Sequence, residues 1–120
     1  MTQQMTKRNV ATVFEAKHNI ELLYLSLQSK LIAPGIRDIT DVLLQVNKQI
    51  DTSKNPEALV NRMVNYIRIT ASSEKLHFSK ADEKLIIDLG VIGQQAGLNG
   101  QYMADFSDKS QFYSYTDANK

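Results

Sequence analysis

The chain has 120 residues, a single-domain length, and with 42% hydrophobic residues it can bury a core without a metal or disulfide staple. It contains no cysteine, which excludes disulfides and thiolate metal sites and fits a reducing compartment. Its 14 basic and 13 acidic side chains leave a net charge of +1. The concentrated basic excess of a nucleic-acid-binding domain is missing, so nucleic acid is not an expected partner.

Residues 1 to about 9 are polar and are expected to fray. The longest apolar run near the N-terminus is Leu22-Leu23-Tyr24-Leu25, far below the roughly 20 residues that span a bilayer. Neither a signal peptide nor direct membrane insertion is expected, and any work at a membrane would go through a partner. From Val10 to Lys30, Val10, Val13, Phe14, Ile20, Leu23, Tyr24, Leu27 and the following Leu31 recur at three- and four-residue steps, which predicts one helical face. Lys17 and His18 interrupt that stripe, so its first turns should be half packed. Ala33-Pro34-Gly35 predicts the stop.

The second segment is the most regular. Ile36, Ile39, Leu43, Val46 and Ile50 follow a 3-4-3-4 rhythm, the seam of a helical bundle. Asn55-Pro56-Glu57 predicts a third helix start, with Asn at the N-cap, Pro at the first helical position and an acid in the first turn. Leu59, Val60, Met63, Val64, Ile67 and Ala71 form its apolar face. Tyr66 is expected at the edge, ring packed and hydroxyl in water, and Ser72 to Lys75 should end the helix. Ser79 predicts the N-cap of the fourth helix, with Asp82 or Glu83 reaching back and Phe78 as a hydrophobic staple near Leu85. Leu85, Ile86, Leu89, Ile92 and Ala96 continue its face. Gly90 and Gly93 each weaken a helix by about 1 kcal/mol relative to alanine, which argues for close backbone approach to a neighbour or for a soft helix. Gly97 or Gly100 is the expected stop.

Four amphipathic segments with short loops predict an all-α, antiparallel up-down four-helix bundle with an irregular C-terminal tail. Residues 1–120 read as one such domain, with the tail from about 101 to 120. A monomer is expected.

Catalytic chemistry is hard to find. His18 and His77 lack a second ligand at metal-binding spacing, so no metal or other cofactor is expected. Asp82-Glu83 and Asp38 with Asp41 read as helix-start and solvated acids rather than a general acid–base pair. Gly90, Gly93, Gly97 and Gly100 lack the preceding strand and Gly-Lys-Ser/Thr ending of a phosphate loop. Ser72, Ser73 and Ser79 have no histidine placed to activate them. An enzyme is not expected. A bundle enzyme of the chorismate-mutase kind would need inward-facing bases, for which only Arg62 and Arg68 offer themselves, and they read better as solvated residues.

The tail is unusual. Tyr102, Phe106, Phe112, Tyr113 and Tyr115 crowd into it without helical rhythm, whereas disordered tails are poor in aromatics. Either Tyr102 and Phe106 fold back to cap the bundle, or the tail docks on a partner through aromatic anchors with Asp105, Asp108 and Lys109 as a polar rim. Both readings stay open. Tyr102, Phe106, Lys109 and Phe112 are the candidate partner-binding residues.

The stretch Asn61–Phe112 resembles the immunity proteins of pediocin-like (class IIa) bacteriocins, the enterocin A immunity group in particular. The likeness rests on Asn61-Arg62, Val64-Asn65-Tyr66, Ala96-Gly97, Asn99-Gly100, Tyr102, Ala104-Asp105 and Asp108-Lys109-Ser110-Gln111-Phe112. From Ile20 to Ala58 it is one of helix pattern and length. The resemblance implies a cytoplasmic four-helix bundle, peripheral to the inner membrane face through its partner, that protects the cell against a pore-forming bacteriocin. It further implies association with the bacteriocin-bound membrane subunits of the mannose phosphotransferase permease, with specificity in the C-terminal half. A generic helical interaction module, an antitoxin or regulatory adaptor, is the alternative.

Overall fold

The computed structural model describes residues 7–30, 32–96 and 108–113. Helices α1 (Lys7–Gln28), α2 (Ile36–Gln49), α3 (Pro56–Glu74) and α4 (Lys80–Gln94) follow one another, with a 3-10 turn over Ile50–Thr52 and another over Lys109–Phe112. α1 packs on α2 and α4, and α3 packs on α2 and α4, so the helices close a ring in chain order. Ion pairs from the end of one helix to the start of another mark α1 and α4, and α3 and α4, as antiparallel. Lys17 of α1 reaches Asp51 after α2, Lys30 after α1 reaches Asp82 at the start of α4, and Arg68 late in α3 reaches Glu83 early in α4. The all-α four-helix bundle is thereby shown.

The second-helix rhythm holds throughout: Ile36, Ile39, Leu43, Val46 and Ile50 are all buried, joined by Val42 and Thr40. In α1 the stripe is inward from Ala16 onward, through Ile20, Leu23 and Leu27. Val10 and Phe14, 57% and 75% exposed, stay outside, consistent with the break at Lys17 and His18. α1 ends at Gln28, earlier than the Ala33-Pro34-Gly35 signal, because consecutive turns (Lys30 N–H to Leu27 O at 2.9 Å, Ala33 N–H to Lys30 O at 3.1 Å) carry the chain to Pro34. Leu31 lies outside the described residues. Gly35 is the α2 N-cap, at φ +87°, and an added Cβ would lie 2.8 Å from Glu74 Cγ. Glycine is required there on both counts.

The caps of α3 and α4 follow the sequence signals. Asn55 Oδ1 accepts from the Ala58 N–H at 3.1 Å, and Ser79 Oγ accepts from the Asp82 N–H at 3.1 Å. Neither acid closes a capping box, however. Asp82 is buried and takes Lys30 Nζ at 3.2 Å, while Glu83 takes Arg68. α3 ends where Lys75 turns left-handed, with its N–H and that of Leu76 returning to the last carbonyls of the helix. α4 ends at Gln94, before Gly97 and Gly100, which lie outside the described residues. Of the two helical glycines, Gly93 alone marks close approach. A Cβ there would stand 2.7 Å from Asn61 Cα, whereas one at Gly90 would meet only Val64 Cγ1, at 3.8 Å.

Candidate functional site

The tail turn Lys109–Phe112 lies against α2 and α3. Asp108 starts it: its Oδ1 accepts the Ser110 N–H at 2.9 Å and the Ser110 hydroxyl at 2.6 Å. This is an Asx-type local bond that offers the chain a turn in place of a helix. Four residues later the Phe112 ring enters the core and is fully buried. It meets Tyr66 edge-on, with centroids 5.6 Å apart and planes at 77°, the arrangement aromatic quadrupoles favour. The Gln49 side-chain amide donates to the Phe112 carbonyl, which closes the backbone over the ring.

At the other end of the turn, Lys109 Nζ donates to Asp38 Oδ1 at 2.9 Å and to Asp41 Oδ2 at 3.1 Å. Partial burial pulls the ammonium pKa down. The bonds and charges of the two aspartates together outweigh that pull and hold it above the ordinary lysine value. Asp38 and Asp41 are therefore the seat of the tail. Tyr66 is interior, 5% exposed, rather than at the helix edge as its sequence position suggests, because Phe112 covers it. Burial pushes its phenol up, against a smaller downward effect of a hydrogen bond with Thr70.

The four candidate partner residues therefore separate. Phe112 is a core residue as the turn stands, so its ring is not offered to a partner, and Lys109 is engaged by two carboxylates. Tyr102 and Phe106 lie outside the described residues, as do Asp105 and Tyr115. What α4 does present is an apolar pair one turn apart, Ile87 and Val91, 52% and 54% exposed. The sequence reading missed this pair, although both fall on the polar side of the stripe Leu85, Ile86, Leu89 and Ile92. Of the two bases a bundle enzyme would need, Arg68 is exposed and paired with Glu83, whereas Arg62 is half-buried beside Lys48 in a depression between α2 and α3. No helix among them is long and apolar enough to cross a membrane.

The sequence model of the bacteriocin immunity protein family matches residues 14–94, well over half of the chain. The chain belongs to the bacteriocin immunity protein family. Among members of that family, the probable mesentericin-Y105 immunity protein of Leuconostoc mesenteroides is 59% identical over 111 residues, covering 92% of this chain and 98% of its own. The probable leucocin-A immunity protein of Leuconostoc gelidum is 60% identical over 110 residues, covering 92% and 96%. The crystal structure of EntA-im, which confers immunity to the pediocin-like bacteriocin enterocin A, superposes with a TM-score of 0.58 at 41% identity. It covers 80% of this chain and 98% of that one. The family resemblance carried by Asn61–Phe112 is thus shown.

Proposed function

We propose that this bacteriocin immunity protein acts in the cytoplasm against a class IIa pore-forming peptide. It does so by associating with the bacteriocin-bound membrane subunits of the mannose phosphotransferase permease. The observation that carries the reading is near-60% identity, over almost the full length, to two proteins named for immunity to individual bacteriocins. A mechanism through a partner is supported by the absence of a membrane-spanning helix among the described residues and by the exposed pair Ile87 and Val91.

The tail and the last turns of α4 form the proposed partner surface. Tyr102 and Phe106 are its contacts, while Lys109 and Phe112 hold the tail to the bundle from below. Deleting the tail would confound this with loss of the buried Phe112 ring, so point substitutions are the better probe. The gene is to be expressed in a susceptible strain and survival scored against a panel of class IIa peptides including leucocin A and mesentericin Y105. Protection is expected against at least one of them. Tyr102→Ala with Phe106→Ala should weaken it by about tenfold or more, the scale on which aromatic anchors act, without lowering the melting temperature. Full protection by that double variant would remove the tail from the partner surface.

A further inference from the structure

A depression of about 520 Å³ opens between the C-terminal end of α2 and the first half of α3, with Lys48 and Arg62 on its walls. Gln45, Gln49 and Ser53 also line it, and the lining contains no carboxylate. Lys17, Arg62 and Lys109 are half-buried. Lys17 meets Asp51 at 2.7 Å, and Lys109 meets Asp38 and Asp41. Arg62 meets no carboxylate among the described residues. Burial also lowers its guanidinium pKa below the ordinary arginine value.

An arginine stem packs readily on apolar surface, and Leu59 lines the same depression. Lys48 fits the last turn of α2, where a cation complements the helix dipole. Neither account supplies a counter-charge, and the half-buried Arg62, lining the depression with the exposed Lys48, bears the cost of leaving its charge uncompensated. A bound anion would remove that cost. Ser53 Oγ already accepts the Asn55 N–H at 3.2 Å, which leaves its O–H to donate. Gln49 lines the depression while donating to the Phe112 carbonyl, so the site borders the tail turn.

We propose that Arg62 and Lys48 form a docking site for a carboxylate side chain, an Asp or Glu on an acidic segment of the partner protein. The planar guanidinium fork suits a carboxylate bidentately, with Lys48 as a point charge beside it. The negative end of the α2 dipole at the same place opposes any anion, and a doubly charged phosphate more than a singly charged carboxylate. That the segment belongs to the partner rests on the proposed function; that the site takes a carboxylate does not.

Two measurements test this. In the purified protein, the Arg62 side-chain N–H and the Ser53 amide are followed by NMR while hexaglutamate, inorganic phosphate or chloride is added at constant ionic strength. Hexaglutamate should give a saturable shift that Arg62→Gln abolishes at the Ser53 reporter. A response no larger than that to chloride, or binding of phosphate but not hexaglutamate, would overturn the assignment. In the protection assay, Arg62→Gln and the exposed Lys48→Gln, each checked for an unchanged melting temperature, should lower protection by about tenfold, with Arg62→Lys intermediate. Full protection by both Gln variants would overturn the docking role. A wild-type protein that gives no protection would instead refute the functional reading, and the peptide titration would still decide the site.

Discussion

At the seat of the tail, Lys109 and Tyr66 are both held above their ordinary values, Lys109 by its two aspartates against burial and Tyr66 by burial itself. A folded value raised above the unfolded one contributes stability in full below the unfolded value and loses it as pH rises through the folded one. Both contributions therefore stay constant around neutral pH, and as pH rises they fade only in strong alkali. Glu83 runs the other way. The hydrogen bond from Arg68 holds its carboxyl below the ordinary 4.5, against a smaller opposing effect of burial. Its contribution is present above that ordinary value and is lost as pH falls through the lowered one. The side chains of Arg68 and Glu83 are 42% and 38% exposed, so solvent screening keeps the pair within about 0–1 kcal/mol. Glu83→Gln should thus lose up to about 1 kcal/mol at neutral pH and progressively less as the pH falls towards about 2. Urea unfolding of both proteins across that range checks this, and a deficit that persists in acid would count against the ion pair.

Among the elements, the contact of α3 with α4 depends on one missing methyl group. Asn61 Cα and the Cβ position of Gly93 are 2.7 Å apart, backbone against backbone, so the helices must separate to admit a side chain. Gly93→Ala should cost about 1–3 kcal/mol through overpacking. Gly90→Ala, with only Val64 Cγ1 at 3.8 Å, should gain up to about 1 kcal/mol from helix propensity. Thermal melts of the two variants moving in the same direction would refute this. The glycines also show how far the sequence could be read. Periodicity reports which face of a helix is apolar, and so the α2 seam and the α3 and α4 caps were legible. It is silent on which neighbour comes near, and so it could not tell Gly93 from Gly90. The tail was illegible for the same reason. Phe112 is gripped by Gln49 and Lys109 by Asp38, partners 63 and 71 residues away, and no local pattern encodes such pairs. Tyr66 looked like an edge residue because the ring that covers it comes from outside the four helices.

For the whole molecule, these contacts make the tail turn part of the bundle rather than an appendage to it. The ion pairs that tie helices to one another are largely solvent-facing, with side-chain exposures of 31% and 56% for Lys17 and Asp51, and 31% and 54% for Lys109 and Asp38. These two exposed pairs are worth about 0–1 kcal/mol each and are screened by salt; only Lys30–Asp82 among the described inter-helix pairs has a buried partner. A fully buried phenylalanine is of another order, since its truncation to alanine costs about 3–5 kcal/mol. That is a large part of the roughly 5–15 kcal/mol that holds a domain folded. Because the Phe112 ring shares one core with Tyr66 and the helical seams, the turn cannot detach without opening a cavity between α2 and α3. The turn and the helices should therefore melt together. Near-ultraviolet circular dichroism of the aromatic pair and far-ultraviolet dichroism of the helices should give coincident urea transitions in the wild type. Phe112→Ala should shift both to lower urea by the amount that corresponds to about 3–5 kcal/mol, whereas 1 M sodium chloride should shift them little. An aromatic transition that precedes the helical one would mean that the tail undocks on its own, and the core role of Phe112 would then have to be withdrawn.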